Sequence, residues 1–212
     1  MSEAASLDAP VVEAAAQAPP KARGRPRGFD TTWAMEQARA LFYLRGYDRV
    51  TLNDLTSAMA INPPSFYAAF GNKALLFIRI ADAYSRALLD DIRGAFEDEP
   101  TLPDALESIL LSAARRFAAQ EGQGGCLILE AASNCSDAGV TAHLRKARLS
   151  IAAALYRGIS RTAPERVVEL TDHVMMLLAG FSAMGRDGMD VERLMRVAAR
   201  ALQPLCDPSE RL

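Results

Sequence analysis

A chain of 212 residues that is half hydrophobic and about a quarter charged holds enough apolar material for a packed core, which excludes both a disordered tail and a coiled-coil rod. Alanine and leucine together number 64 against 17 for valine and isoleucine, a balance that favours helix over strand, so an all-α fold is expected. The net charge of −2 conceals a basic block: residues 21 to 73 carry eight bases against four acids, while residues 1 to 20 carry three acids and no base, and residues 74 to 212 carry 16 bases and 19 acids.

Other classes drop out on short patterns. The first 20 residues lack the basic start and apolar stretch of a secretory signal, and the most apolar uninterrupted run, residues 174 to 185, is too short for a membrane span. Cys126, Cys135 and Cys206 are odd in number and contain no CxxC pair, so neither a disulfide framework nor a zinc ribbon fits, and a reducing cytoplasm is expected. His143 and His173 lack ligand spacing, and no nucleophile elbow, phosphate loop or dinucleotide turn is present. The sequence therefore offers no catalytic residue, metal site or cofactor. A basic segment on an otherwise acidic chain points instead to a negatively charged partner.

In chain order, residues 1 to 29 read as a disordered leader followed by a basic arm, Arg23-Gly24-Arg25-Pro26-Arg27, whose Gly and Pro prevent helix. Arginines on such an arm suit the narrow minor groove of DNA; the plain reading is a solubilising linker. A first helix is expected from about 31 to 45, with Ala34, Met35, Ala38, Leu41 and Phe42 on one face and Gly46 closing it. Thr51 with Asp54 forms a capping box for a short second helix that buries Leu52, Leu55 and Met59. Asn62 caps a third helix with Pro63 at its first position. That helix turns Phe66 and Phe70 inward and Pro64, Ser65, Tyr67, Ala68 and Ala69 outward. A capped helix, a tight turn and a second short helix with small outer residues describe a helix-turn-helix shaped for a major groove about 12 Å wide.

Residues 38 to 77, ARALFYLRGYDRVTLNDLTSAMAINPPSFYAAFGNKALLF, resemble the N-terminal domain of TetR-type transcriptional regulators. The shared features are the LF-x-x-x-GY end of the first helix, the T-x-x-D-L start of the second, and S-F-Y-x-x-F-x-x-K-x-x-L from Ser65 to Leu76. The resemblance implies that Thr51, Tyr67 and Lys73 contact phosphates and that Pro63, Pro64, Ser65 and Ala68 lie against base edges. With no Arg, Asn or Gln on this face after Asn62, thymine methyl contacts, Ser65 and the arm (Arg23, Arg25, Arg27) would carry specificity. It also implies division into residues 30 to 76, a DNA-binding domain, and residues 77 to 212, a ligand-binding and dimerisation domain, for about nine helices in all.

In the second part, helices are expected at about 73 to 96, 101 to 120, 126 to 135, 137 to 161, 164 to 186 and 190 to 205. The last two carry broad apolar stripes, and the resemblance assigns Val174, Leu178, Phe181, Leu194, Ala198 and Leu202 to an interface between two copies. Five of the eight methionines fall between Met175 and Met195, a pattern that suits either core filling or an adaptable pocket. Cys126, behind a glycine-rich stretch and at a helix start, is a candidate electrophile or oxidant sensor, with a buried small hydrophobe as the plainer reading. The expected function is a cytoplasmic homodimeric regulator, a repressor that binds a palindromic double-stranded DNA operator and is released by a small-molecule effector, with no membrane partner. The alternative is a helical ligand-binding or protein-interaction module without DNA readout.

Overall fold

The structure, a computed structural model, describes residues 30 to 119, 124 to 129 and 135 to 202. Every regular element among these residues is helical: α1 (Thr31–Arg45), α2 (Leu52–Ala58), α3 (Pro63–Phe70), α4 (Lys73–Asp98), α5 (Leu102–Phe117), α6 (Ala138–Ile159), α7 (Val167–Arg186) and α8 (Val191–Ala201), with a 3-10 turn at Pro164–Arg166 before α7. The helix expected from 126 to 135 is described only in part, and residues 127 to 129 of it are helical. The arm with Arg23, Arg25 and Arg27 lies outside the described residues.

Local chemistry explains most helix starts. Thr51, Asn62, Asn72, Thr101, Asp137 and Asp190 each accept a backbone N–H from the first turn of α2, α3, α4, α5, α6 and α8. Each such cap satisfies a donor the helix itself cannot, contributing about 1 kcal/mol. Gly46, at φ 75°, closes α1, its N–H donating to the Phe42 carbonyl at 2.9 Å. Ala60, between α2 and α3, adopts the same left-handed conformation at φ 52° without being glycine.

The first three helices and the start of α4 share a core in which Phe42, Tyr47 and Phe77 form an aromatic cluster, with Phe42 and Phe77 edge to face at 4.9 Å. Leu55, Met59, Phe66, Phe70 and Leu76 are buried around it. The domain boundary expected after residue 76 falls inside α4, whose 26 residues serve both halves: Leu76, Phe77 and Ile80 are buried near its start and Leu88, Ile92 and Ala95 further along. Thr31–Leu212 accordingly forms a single compact unit. In the second half α6 lies along α4, α8 along α5, and α7 packs on both α5 and α6. Two chain segments meet backbone to backbone where α5 ends: a Cβ on Gly124 would lie 2.1 Å from the Gly185 carbonyl oxygen, and one on Gly185 would lie 1.9 Å from that of Phe117. Only glycine fits at either place.

The six residues expected between two copies are instead inside this one chain. Val174, Leu178 and Phe181 face the neighbouring helices of α7, Leu194, Ala198 and Leu202 face the α5 side of α8, and none keeps more than 6% of its surface. The reason is that α7 is apolar on more than one side, and its richest stripe goes to the intrachain core. What α7 leaves outside is a second, mainly apolar stripe, Val168, Met176 and Met184, with Asp172, Gly180 and Ala183 between them. The 23 residues Pro164–Arg186 are long and apolar enough to cross a bilayer by length and composition, contrary to the expectation from the shorter uninterrupted run, but their buried face packs in the helical core.

Candidate nucleic-acid interface

The α2-turn-α3 unit sets one face of α3 free. Phe66 and Phe70 anchor the inner side, so Pro63, Pro64, Ser65, Tyr67 and Ala68 are exposed together, as the 3.6-residue period requires. Tyr67 is 52% exposed, its ring touching Phe66 edge-on with centroids 5.8 Å apart, and so is not a core aromatic. Asn62 uses its Oδ1 to accept the Ser65 N–H at 2.9 Å. The small side chains on this face leave room for close approach to a groove floor.

At the start of α2, the capping box is complete. Thr51 Oγ1 accepts the Asp54 N–H at 3.2 Å and donates to Asp54 Oδ2 at 2.6 Å, while the Thr51 backbone N–H donates to the same oxygen at 2.8 Å. Arg45 Nη1 holds the other Asp54 oxygen at 2.9 Å. The Thr51 bonds first, and then Arg45, keep the Asp54 carboxyl below its ordinary pKa of 3.8. Arg45 thus offsets a carboxylate that would otherwise repel a phosphate approaching this helix N-terminus. Arg49, two residues before Thr51, is exposed and adds a cation beside it. Neither arginine was singled out by motif; their only signal was membership of the basic block.

Lys73 departs from the role the resemblance implies. Its Nζ donates to the carbonyls of Tyr47 at 3.1 Å and Val50 at 3.0 Å, and lies 4.2 Å from the centroid of the Tyr47 ring. Two of its three donors are therefore taken by the turn between α1 and α2, and the lysine clips α4 to that turn rather than standing free for a phosphate. Arg79 does similar work at the other end of α3, donating to the Ala69 carbonyl at 3.0 Å with its guanidinium over the Phe70 ring.

The same turn is tied to the second half of the chain. Asp48 accepts from the Ser136 N–H at 3.0 Å and from the Ser136 hydroxyl at 2.7 Å, and the Tyr47 hydroxyl donates to Asp137 Oδ2 at 3.3 Å. Asp137 also caps α6, and the Val140 N–H first, with Tyr47 adding to it, holds its carboxyl below the ordinary value. Burial first, and then Asp137, push the Tyr47 phenol up, so its proton stays in place as the donor. The α1–α2 turn, the helix-turn-helix and the N-terminus of α6 are thereby latched by polar contacts across 88 to 90 residues of sequence.

Cys126 is fully buried, its backbone N–H donating to Ser182 Oγ at 2.7 Å, which favours the plainer of its two expected roles on geometry. No group of three His, Cys, Asp or Glu side chains arranged to hold a metal occurs among the described residues.

Comparison with known proteins bears on the family of the chain. Residues 34 to 80 match the family model described as bacterial regulatory proteins, tetR family. The HTH-type transcriptional repressor BdcR of Escherichia coli (strain K12) is 34% identical over 186 residues, covering 84% of this chain and 90% of that protein. The repressor ComR of the same strain is 28% identical, covering 86% and 92%. Among solved structures, a cysteine mutant of the TetR family transcriptional regulator CifR, complexed with 26 bp of double-strand operator DNA, is similar with a TM-score of 0.72 and 31% identity over 84% of this chain and 98% of that one.

Proposed function

Since the chain belongs to the TetR family of bacterial regulatory proteins, we propose that it is a transcriptional repressor that acts by binding rather than by catalysis, recognising a palindromic double-stranded DNA operator in the cytoplasm as a homodimer and leaving it when a small-molecule effector binds. The observation that carries this reading is the outward face of α3, with Pro63, Pro64, Ser65, Tyr67 and Ala68 exposed together on a helix whose inner side is locked by two phenylalanines. Such a helix enters a major groove, where Ser65 and Asn62 offer hydrogen bonds and Ala68 and the prolines offer apolar contact to thymine methyls. The first-turn N–H groups of α2, behind a Thr51 whose own two donors are taken by Asp54, together with Arg49, the Tyr67 hydroxyl and the arm arginines hold the flanking phosphates and minor groove. Lys73 contributes by fixing the turn that carries Arg49 and Thr51. The operator complex of CifR and the repressor names of BdcR and ComR support the same assignment.

The homodimer uses the second stripe of α7, because that apolar face is left uncovered by its own chain and Gly180 leaves open space for a facing helix. Two-fold pairing doubles the base pairs read by one short helix. The latch of Tyr47 and Asp48 onto Ser136 and Asp137 is the route by which a change in the second half reaches the reader, and an effector acts by preferring the state in which two readers are wrongly spaced. Cys126 serves as packing, so Cys126→Ser retains release by a reversible effector.

The test is selection of bound fragments from the source genome, footprinting of the recovered site, and binding by an Ala68→Glu variant, which places a carboxylate against the bases. A palindromic site lost in Ala68→Glu at unchanged melting temperature is expected. Recovery of no preferred sequence, or equal binding by the variant, would sink the DNA assignment and leave a module without readout.

A further inference from the structure

A cleft of about 1030 Å³ opens between α1 and the α4–α5 pair, and its wall is shared by the reader and the second half of the chain. On α1, Met35, Glu36, Arg39 and Tyr43 recur at helical spacing and so present one continuous face to it. Ile80, Ala83 and Tyr84 answer from α4, and Arg115 and Arg116 from the end of α5. The space persists because the facing chain at Gly124 and Gly125 has no side chains to fill it and Ala83 and Ala118 are short.

Its charge is one-sided. Three guanidiniums stand in the wall against one carboxylate, Glu36. Arg116 is paired with Asp91, but Arg39 and Arg115 are exposed and, among the described residues, neither has a carboxylate within ion-pair distance. A guanidinium presents a planar fork of donors that matches a carboxylate on two bonds at once. Deeper in the same wall, the Tyr84 hydroxyl is enclosed beside the Tyr43 hydroxyl and the Cys126 thiol, both of which can accept from it. Burial raises the pKa of Tyr43 to about 12 and that of Tyr84 beyond it, so both remain O–H donors at neutral pH. Arg39 lies over the Tyr43 ring, 5.7 Å from its centroid, and Arg116 over the Tyr84 ring at 5.9 Å, with Met35 and Ile80 lining the apolar part of the wall.

We propose that this cleft binds an organic carboxylate, its anionic end held by Arg39 and Arg115 at the rim and its aromatic or aliphatic body against Met35 and Ile80. The charged end belongs at the rim, where Arg39 and Arg115 are exposed, since Arg116 beside Tyr84 is already paired with Asp91. As an effector site it rests on the regulator reading above; as a binding site it does not. Because α1 belongs to the reader and α5 to the second half, the ligand wedges directly between the parts whose angle sets reader spacing.

Binding is measured on the full chain without DNA, by calorimetry and by the fluorescence of Trp33, the chain's single tryptophan, which neighbours the cleft wall on α1. The probes are phenylpropionate, para-hydroxyphenylpropionate, octanoate and the neutral para-hydroxyphenylpropionamide. The hydroxylated acid is expected to bind at least about tenfold more tightly than its amide. Arg39→Gln combined with Arg115→Gln, both at exposed positions, removes that difference while leaving amide binding unchanged. Three results overturn the assignment: no binding by any acid at millimolar concentration, an amide that binds as tightly as the acid, or equal loss of both in the double variant. An acid that binds the cleft of a protein with no operator would refute the regulator reading alone.

Discussion

Replacing Lys73 with methionine keeps most of the side-chain stem and removes the ammonium. Two charge-assisted bonds to the Tyr47 and Val50 carbonyls and a contact with the Tyr47 ring are lost together. A hydrogen bond to a charged group contributes about 1.5–3 kcal/mol when fully sheltered, and the half-buried position of this ammonium reduces each to about 1 kcal/mol. The ring contact adds about 0.5–1 kcal/mol. The substitution should therefore destabilise the chain by about 2–3 kcal/mol, which in a unit of this size lowers the melting temperature by about 5–10 °C. Urea unfolding followed by circular dichroism measures it, with an unchanged m-value showing that the folded and unfolded surfaces are the same. At a temperature where the variant is fully folded, the log-log slope of DNA affinity against salt should match wild type, because no phosphate contact has gone. A loss of under about 0.5 kcal/mol together with a slope smaller by about 1 would refute the clip and return Lys73 to the phosphate backbone.

Three further outcomes are expected. The Asp54 carboxyl is held below its ordinary pKa, so its contribution to stability is complete above the unfolded value of 3.8 and is lost as pH falls through the lower folded value; Asp54→Asn should flatten that acid limb in a pH series of unfolding curves, and an unaltered limb would exclude the capping box as its source. Ala60→Gly should raise stability by about 0.5–1 kcal/mol, because glycine carries no penalty at φ 52°, and a lower unfolding midpoint would mean that the turn is not strained there. Gly180→Arg should convert the proposed dimer to a monomer in light scattering with its helical content intact, whereas a persistent dimer would move the interface off the exposed α7 stripe.

The helix starts were readable because each depends on a side chain three residues from its target. Thr51 with Asp54 and Asn62 with Ser65 are local signals, and both form as their spacing predicts. The exposed face of α3 was readable for a similar reason, since Phe66 and Phe70 alone decide which side turns inward. The carbonyl contacts of Lys73 have no sequence signal, because a lysine at a helix start looks the same locally whether its ammonium meets a phosphate or carbonyls 23 and 26 residues away. The bonds from Tyr47 and Asp48 to Asp137 and Ser136 have no sequence signature at all, being fixed by how α4 and α6 pack. On α7, periodicity identifies apolar stripes but not which neighbour covers each one. Val174, Leu178 and Phe181 look like an interface from sequence and are core in space, while Val168, Met176 and Met184 remain outside.

On the proposed mechanism, the length of α4 sets how small a movement suffices for release. Its 26 unbroken residues measure about 39 Å at 1.5 Å per residue, with the reader at one end and the packed bundle along the rest. Treated as a stiff rod pivoting near its far end, a tilt of about 5° carries the reader end through about 3.4 Å, which is the rise of one base-pair step. In a symmetric pair both rods swing, and the separation of the two α3 helices changes by up to twice that amount. An angular change well inside what loosening one packed face allows would thus put two readers out of phase with successive turns of the duplex, without unfolding any helix.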